Sequence, residues 1–577
     1  MRAASLLGVF ILAKVCTLAG RDIPLSVWTP VAYLWQDVLV VLVFALVDYR
    51  LRRPWLGWAA YGLVVAYAAL NVPVARVLST PLTWPLLRAT RGPLAGSIAH
   101  DVTWVNVGLV LLVLAAGAGL PLLIRRLPSR TLAVAGAVVL PPFAVMGPLA
   151  TVRVETLGLH RNALVALLTT ALPRVSALEA DEDWRASPFP AAPAEDLSRY
   201  RGAAAGRNVV LVLLESTAAR YLRPYGAAED PMPNLTRLAS RAVLFENAYA
   251  VYPESIRSLF SVLCSTYPAF DTAPEAYGQV PCPALPAVLA GAGYRTGLFH
   301  SGRFDYLGMD SVVRGHGFQT LADAGDIGGD HESSFGIDDE RMTVRRILAW
   351  VDAVPRGRPF FAAYLPVAGH HPYDTPGPGP FPGDDDLDRY RNALHHADAA
   401  LGELLRGLQA RGLDRDTLFV ICADHGEAFG QHAGNYAHTL FLYDENVRVP
   451  YLIAAPGLLR GPVRVHRVAS LLDTAPTVLD LLGLPSPTAY QGSSLLDARP
   501  RMALFLTDYS LGLMGLRDGR WKFLHELETG RSKLFDLAED GEERQDLSGG
   551  FPTRVAAYRE RLRHWSGAQK AFINRSR

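Results

Sequence analysis

Three places in the chain deliver carboxylates and imidazoles directly after apolar runs. "NVVLVLLE" ends on Glu215, "TLFVICADHGEAFGQH" supplies Asp424, His425, Glu427 and His432, and "FFAAYLPVAGHHPYD" brings His370 and His371. Short apolar runs rich in β-branched residues predict buried strands. Polar residues just beyond strand ends are where open α/β sheets build their sites. Oxygen and nitrogen donors with no cysteine among them suit a divalent cation such as zinc, manganese or calcium. A fourth stretch, "YPESIRSLFSVLCSTYP", places Ser255 at the start of a helical pattern. It is either a helix cap or a nucleophile.

Taken singly, each of these residues has a purely structural reading. Glu215 suits the first turn of a helix, where the macrodipole favours an acid. An Asp-His pair after a strand is ordinary turn chemistry. Ser255, after Pro253 and Glu254, suits the N-cap of "IRSLFSVLCS". His370 or His371 suits a turn before Pro372. The functional reading rests on their joint occurrence within one α/β pattern.

That pattern begins at Arg207, where apolar runs alternate with helical stretches such as "DDLDRYRNALHHADAALGELLRGLQARG". The expected fold class is α/β with a mostly parallel sheet. What precedes it is different. Five apolar stretches, 4–18, 27–47, 58–77, 105–124 and 132–152, carry few charges, and several reach the roughly 20 residues that span a bilayer. The loops "DYRLRRP" and "RRLPSR" are short and basic, which places them in the cytoplasm and everything after residue 152 outside it. The expected organisation is a five-helix transmembrane domain over 1–155, an amphipathic segment and linker over 156–206, and an extracytoplasmic catalytic domain over 207–577. Basic and acidic residues balance at 56 against 55, so nothing marks a nucleic-acid partner. Four cysteines are too few for a disulfide framework, and only Cys264 and Cys282 are placed to pair.

The order of these features resembles the alkaline-phosphatase-like sulfatase superfamily over about 208–563. "MPNLTRLASRAVLFENAYA", "ADHGEAFGQH", "LYDENVRVPYLIAAPG", "VASLLDTAPTVLDLLGLP" and "LRDGRWKFLHELETGRSKLFDLAEDGEERQDL" are similar to its successive segments. The resemblance implies an α/β/α domain with a small C-terminal α+β subdomain. In that superfamily a Tyr-Pro pair follows the nucleophile by 12 residues, and Tyr267-Pro268 then points back to Ser255. The Pro and Arg that direct formylglycine formation are replaced by Arg257 and Leu259, so the resemblance implies an unmodified serine. Ser258 is the second choice, one helical turn on.

A metal-bound serine hydroxyl loses its proton near neutral pH and suits attack on a phosphodiester. With the apolar N-terminal part, the chain resembles the lipoteichoic acid synthases, phosphoglycerol transferases and lipid phosphoethanolamine transferases. That implies one divalent ion, manganese or zinc first and calcium or magnesium as alternatives, held by Glu215, Ser255, Asp424 and His425. It also implies phosphate contacts from His370, His432 and Arg303, with His300 and His438 as further candidates. The implied donor is a membrane phospholipid and the implied acceptor an envelope glycan or lipid. The alternatives are a hydrolase of the same superfamily, sulfuric ester hydrolase or phosphodiesterase, and an envelope protein that keeps the fold without catalysis.

Overall fold

A computed structural model of the chain describes residues 1–23, 25–89, 102–179, 183–191, 194–329, 336–337, 339–458 and 461–575. All five apolar stretches are helical: α1 (Arg2–Leu18), α2 (Thr29–Arg50), α3 (Pro54–Val77), α5 (Trp104–Ile124) and α6 (Ser129–Arg153), with the short α4 (Trp84–Ala89) between α3 and α5. Four of them are long and apolar enough to cross a membrane, rather than the five expected. The first, α1, has only 17 residues. It nonetheless packs Leu6, Val9 and Phe10 against Val41, Tyr61, Val65 and Val113 of its neighbours. Its Lys14, buried at the same end, donates to the carbonyls of Leu159 and Arg161 and lies 3.5 Å from Asp37.

From residue 208 the chain forms a mixed, mostly parallel sheet. Its strands are β1 (Asn208–Leu214), β2 (Ala242–Tyr249), β3 (Arg295–His300), β4 (Thr320–Ala322), β5 (Phe360–Leu365), β6 (Thr417–Ala423), β7 (Tyr451–Ala454) and β8 (Val463–Ser470), in the order β8-β2-β7-β6-β1-β5-β3-β4. Only β7 on this path runs antiparallel to its neighbours. β1, β5 and β6 are buried along their full length, as strands covered on both faces must be. A second, antiparallel sheet, β9 (Ala503–Thr507) to β12 (Ser532–Asp536), with the closing helix Pro552–Arg575, forms the C-terminal α+β part.

The segment expected to be a linker is docked instead. Arg185 is buried and forks onto Asp473 at 2.6 and 2.8 Å, while Trp184 and Phe189 pack against the second sheet's core. Its Ala/Pro composition concealed one guanidinium and two aromatic rings, which are enough to hold a strap. Of the amphipathic stretch only Ala163–Thr170 (α7) is helical, and it packs beside α4.

The N-terminal apolar helices and the α/β part meet in a polar seam. Arg161 donates to Thr80 Oγ1 (2.7 Å) and to Ser510 Oγ (2.5 Å), and Thr83 Oγ1 donates to the Tyr509 carbonyl (2.5 Å). Arg531 caps the end of α6 through the carbonyls of Thr151 and Val154.

Candidate active site

β1 and β6 lie side by side in parallel, with Leu214 opposite Ala423, so the residues that follow them emerge together. Glu215 and the pair Asp424-His425 therefore meet at one sheet edge, all three buried. Ser255 arrives from the helix α8 (Ser255–Cys264), whose first residue it is. Glu254, not Ser255, is the N-cap and accepts from the Arg257 N–H (3.2 Å). The serine is thereby released from capping, and its Oγ lies 3.0 and 3.2 Å from the Glu215 carboxylate and 3.3 Å from His425 Nε2. At a helix N-terminus it also faces the positive end of the macrodipole, which favours negative charge on oxygen. Ser258 is buried and donates to the Tyr252 carbonyl (2.7 Å), committed to the fold.

Glu215, Asp424 and His425 each offer a ligand atom, all within 4.8 Å of one another. Asp424 Oδ1 accepts the N–H groups of Ser216 (3.0 Å) and His425 (2.7 Å), which fixes its plane. His425 Nδ1 sits 3.0 Å from the Gly426 carbonyl, so Nδ1 carries the proton and Nε2 presents its lone pair to the carboxylates. Burial, and then Asp424 beside it, push Glu215 well above the usual carboxylate range. Burial pushes Asp424 up to about 7 and His425 down to about 4. Two adjacent buried acids, both pushed up by burial, form a charge pattern a divalent ion would neutralise. The donor set fits one: two carboxylates, one imidazole lone pair and one hydroxyl.

Of these residues, Glu215 and Ser255 open on a cavity of about 580 Å³. Its wall includes Ser255, Glu215, His300, His370, His371 and His438. β3 and β5 pair in parallel with His300 opposite Leu365, which brings His300 and the His370 turn to the same edge. That turn passes so close to the metal-type cluster that a Cβ on Gly369 would fall 2.5 Å from the Glu215 carbonyl oxygen; Gly369 has φ +115°. His438 Nδ1 pairs with Glu427 (2.6 Å), which also accepts from Tyr373 OH (2.5 Å), and the His438 ring lies 4.2 Å from that of His425.

Two expected phosphate contacts are not brought to this wall. His432 is buried with Nδ1 on Glu445 (2.7 Å), Nε2 on the Glu543 carbonyl (3.3 Å) and its ring stacked on Tyr443. The chain reverses between the short strands Ala428–Phe429 and Tyr436–Ala437, and this carries His432 outward and returns His438 inward. Arg303 does not line the cavity among the described residues either; its guanidinium lies beside Gly325. The cavity wall instead includes Arg76, Val77 and Leu78 from the end of α3 and Leu86 of α4, together with Glu254, Tyr306 and Tyr509. Nothing local in the sequence marked these, because they join the site only through tertiary packing.

Residues 207–484 match the family model described as Sulfatase. This stretch, just under half of the chain, is similar to sulfatase domains. Over 322 residues, 52% of this chain and 49% of the relative, the sequence is 24% identical to lipoteichoic acid synthase 2 of Bacillus subtilis (strain 168). Over 186 residues, 29% of this chain and 34% of the relative, it is 30% identical to arylsulfatase K of Bos taurus. The chain thus spans about a third to a half of the length of these curated relatives. The fold is shared with a lipoteichoic acid synthase of Listeria monocytogenes (TM-score 0.51, 21% identity, 66% of this chain and 96% of that one). It is shared also with an alkaline phosphatase superfamily protein of Vibrio parahaemolyticus (TM-score 0.55, 19% identity, 70% and 98%). The matched stretch therefore has the alkaline-phosphatase-like α/β fold, in a chain whose described residues also carry four helices apolar and long enough to cross a membrane.

Proposed function

We propose that the chain is a membrane-anchored, metal-dependent phosphotransferase that moves a phosphoglycerol- or phosphoethanolamine-type group from a phospholipid to an envelope acceptor. One observation carries this reading. The cavity lined by Ser255 and Glu215, with Asp424 and His425 beside them, is walled on another side by Arg76, Val77 and Leu78, where the apolar helix α3 ends. If α3 spans a bilayer, its end lies near the headgroup phosphodiesters, which supports a lipid substrate for this cavity. The domain division at about 155 and 206, and an extracytoplasmic catalytic part, belong to the same proposal. The basic loops after α2 and α5 and the disulfide Cys264–Cys282, a bond of oxidising compartments, support that side.

A divalent ion held by Glu215, Asp424, His425 and Ser255 would supply Lewis acidity, lowering the pKa of the serine hydroxyl and withdrawing charge from the phosphate. The chain's own residues do the rest. Glu215 and His425 hold the Ser255 hydroxyl at the helix N-terminus in one rotamer. Oγ attacks phosphorus, the bond from phosphorus to the diacylglycerol oxygen breaks, and that oxygen takes up a proton. The headgroup phosphate remains esterified to Ser255. His370, His438 and His300 line the space around that phosphate. An acceptor hydroxyl then attacks the same phosphorus, releases Oγ and regains the serine.

The test is release of diacylglycerol from labelled phosphatidylglycerol or phosphatidylethanolamine vesicles by the purified protein with manganese. Release that persists in Ser255→Ala refutes the nucleophile. Likeness to arylsulfatase K favours a second reading, a hydrolase whose acceptor is water. Its sulfatase version requires a formylglycine at 255, which the mass of the peptide containing that residue decides.

A further inference from the structure

A second cavity, of about 530 Å³, adjoins the catalytic one. The two share Leu307 and Tyr509 in their walls, and the first turn of α8 serves both: Ser255 lines the first, and Arg257, two residues on, lines the second. Arg257 donates to Tyr509 OH (3.3 Å) and to the Thr272 carbonyl (3.0 Å), which fixes this partition. Leu307 stands in it with a left-handed backbone, φ +48°, which a leucine keeps only where its surroundings impose it. The two cavities differ in chemistry. The first has apolar side chains from the end of α3 and from α4 beside the nucleophile. The second offers an indole, two carboxylates and a guanidinium: Trp84, Asp305, Glu275 and Arg88. All four are accessible. Trp84 is 38% exposed, Asp305 is exposed and forms no ion pair among the described residues, and Arg88 and Glu275 stand 3.6 Å apart at the surface.

An acyl chain in the second cavity would strip water from Asp305 and Arg88 and return no hydrogen bond, which is costly. A sugar ring replaces that water. Its hydroxyls donate to carboxylates and accept from a guanidinium, and its C–H face packs on an indole. A space of about 530 Å³ is of the size that takes small-molecule ligands. Resting on the phosphotransferase reading above, we propose that the second cavity is the acceptor site and that the acceptor is a carbohydrate. Trp84 and Asp305 hold the sugar, and one of its hydroxyls is directed past Tyr509 to the phosphate on Ser255. That hydroxyl oxygen attacks phosphorus, the bond from phosphorus to Oγ breaks, and Oγ takes the proton the hydroxyl loses. The sugar belongs either to a free glycan or to the headgroup of a glycolipid. On this assignment α4 binds substrate, and the donor and the acceptor reach the nucleophile from different cavities.

The test reads how the phosphorylated serine partitions between acceptors. The full chain, with manganese, is given headgroup-labelled phosphatidylglycerol or phosphatidylethanolamine vesicles and one added acceptor: maltose, vesicle-borne glucosyl-diacylglycerol or dodecanol. The measured quantity is headgroup phosphate transferred to the acceptor relative to that released into water. One of the glucosides is expected to exceed dodecanol at least 10-fold in this ratio. Asp305→Ala is expected to lower it by about 10-fold, the loss for a hydrogen bond to a charged group, and Trp84→Ala to lower it as well. Transfer to maltose as well as to the glycolipid identifies a free glycan as the source; transfer to the glycolipid alone identifies a headgroup. The ratio is taken within one preparation, so a partly unfolded variant does not distort it. Titration calorimetry with maltose, in sugar-free detergent, needs no turnover. If no lipid is cleaved but maltose binds and both variants lose it, the transferase reading fails while the sugar site stands. If diacylglycerol is released but neither glucoside exceeds dodecanol, or the ratio survives both substitutions, the sugar site is overturned and the transferase reading stands. Neither cleavage nor maltose binding overturns both. If the variants do not fold, equal use of all three acceptors by wild type still overturns the proposal.

Discussion

One buried carboxylate ties together the two strand ends that bring His300 and His370 to the cavity. Glu340 Oε1 accepts the N–H groups of Val367 (2.7 Å) and Ala368 (3.0 Å), two residues before His370. Its Oε2 accepts from Tyr364 OH (2.7 Å) and from Ser301, the residue after His300. Burial pushes this acid from 4.5 up to about 7. Below about pH 4.5 the folded and unfolded chains both hold the proton, and the fold loses nothing. As pH rises from there to about 7 the unfolded chain releases a proton that the folded carboxyl retains, and stability falls. The loss is complete above 7, at roughly 3 kcal/mol for a shift of this size.

Glu340→Gln removes the titration while preserving the contacts: the amide oxygen accepts the two backbone N–H groups, and the amide nitrogen donates to the hydroxyls. The melting temperature of the detergent-solubilised protein, followed by intrinsic fluorescence between pH 5 and 8, is expected to fall by roughly 2–4 °C more in wild type than in Glu340→Gln. Other groups titrate in the same window, but they are common to both proteins and cancel in the difference. Parallel curves for the two proteins would refute the reasoning.

Further outcomes follow from other contacts. Ser255→Ala should abolish diacylglycerol release while leaving manganese bound, measured by metal analysis, because three ligands remain. Glu215→Gln should weaken manganese binding at least 100-fold; in the ion-free protein it should raise the melting temperature, because Gln removes a buried charge facing Asp424. A Glu215→Gln protein that retains wild-type manganese affinity would refute the ligand assignment. Replacing Cys264 and Cys282 together by Ala should cost about 3 kcal/mol, the value for a bond that closes a loop of this size. Denaturant midpoints read that loss. Arg185→Ala should cost about 3–5 kcal/mol by leaving Asp473 buried without its partner, and should expose the 183–191 strap to protease; unchanged resistance would show that the strap is held by Trp184 and Phe189 alone.

The division between what was legible in the chain and what was not follows the range of the forces involved. Glu215 and the Asp424-His425 pair were readable because each ends an apolar run, and strand burial is a local pattern of side chains. The apolar helices were readable for the same reason, although α1, at 17 residues, is shorter than the roughly 20 that usually span a bilayer. The choice between His432 and His438 was not readable. It depends on a chain reversal between residues 428 and 437, which turns one imidazole toward Glu445 and the other toward Glu427. Nor could any local signal show that Glu254 takes the cap and frees the serine, that Glu340 joins two strand ends, or that α3 closes the cavity. The sequence by itself determined the chemical groups and the strands that carry them, since composition and periodicity act within a few residues. Only the tertiary structure decided which groups share a space, because that depends on parallel pairing and loop paths between segments far apart in the chain.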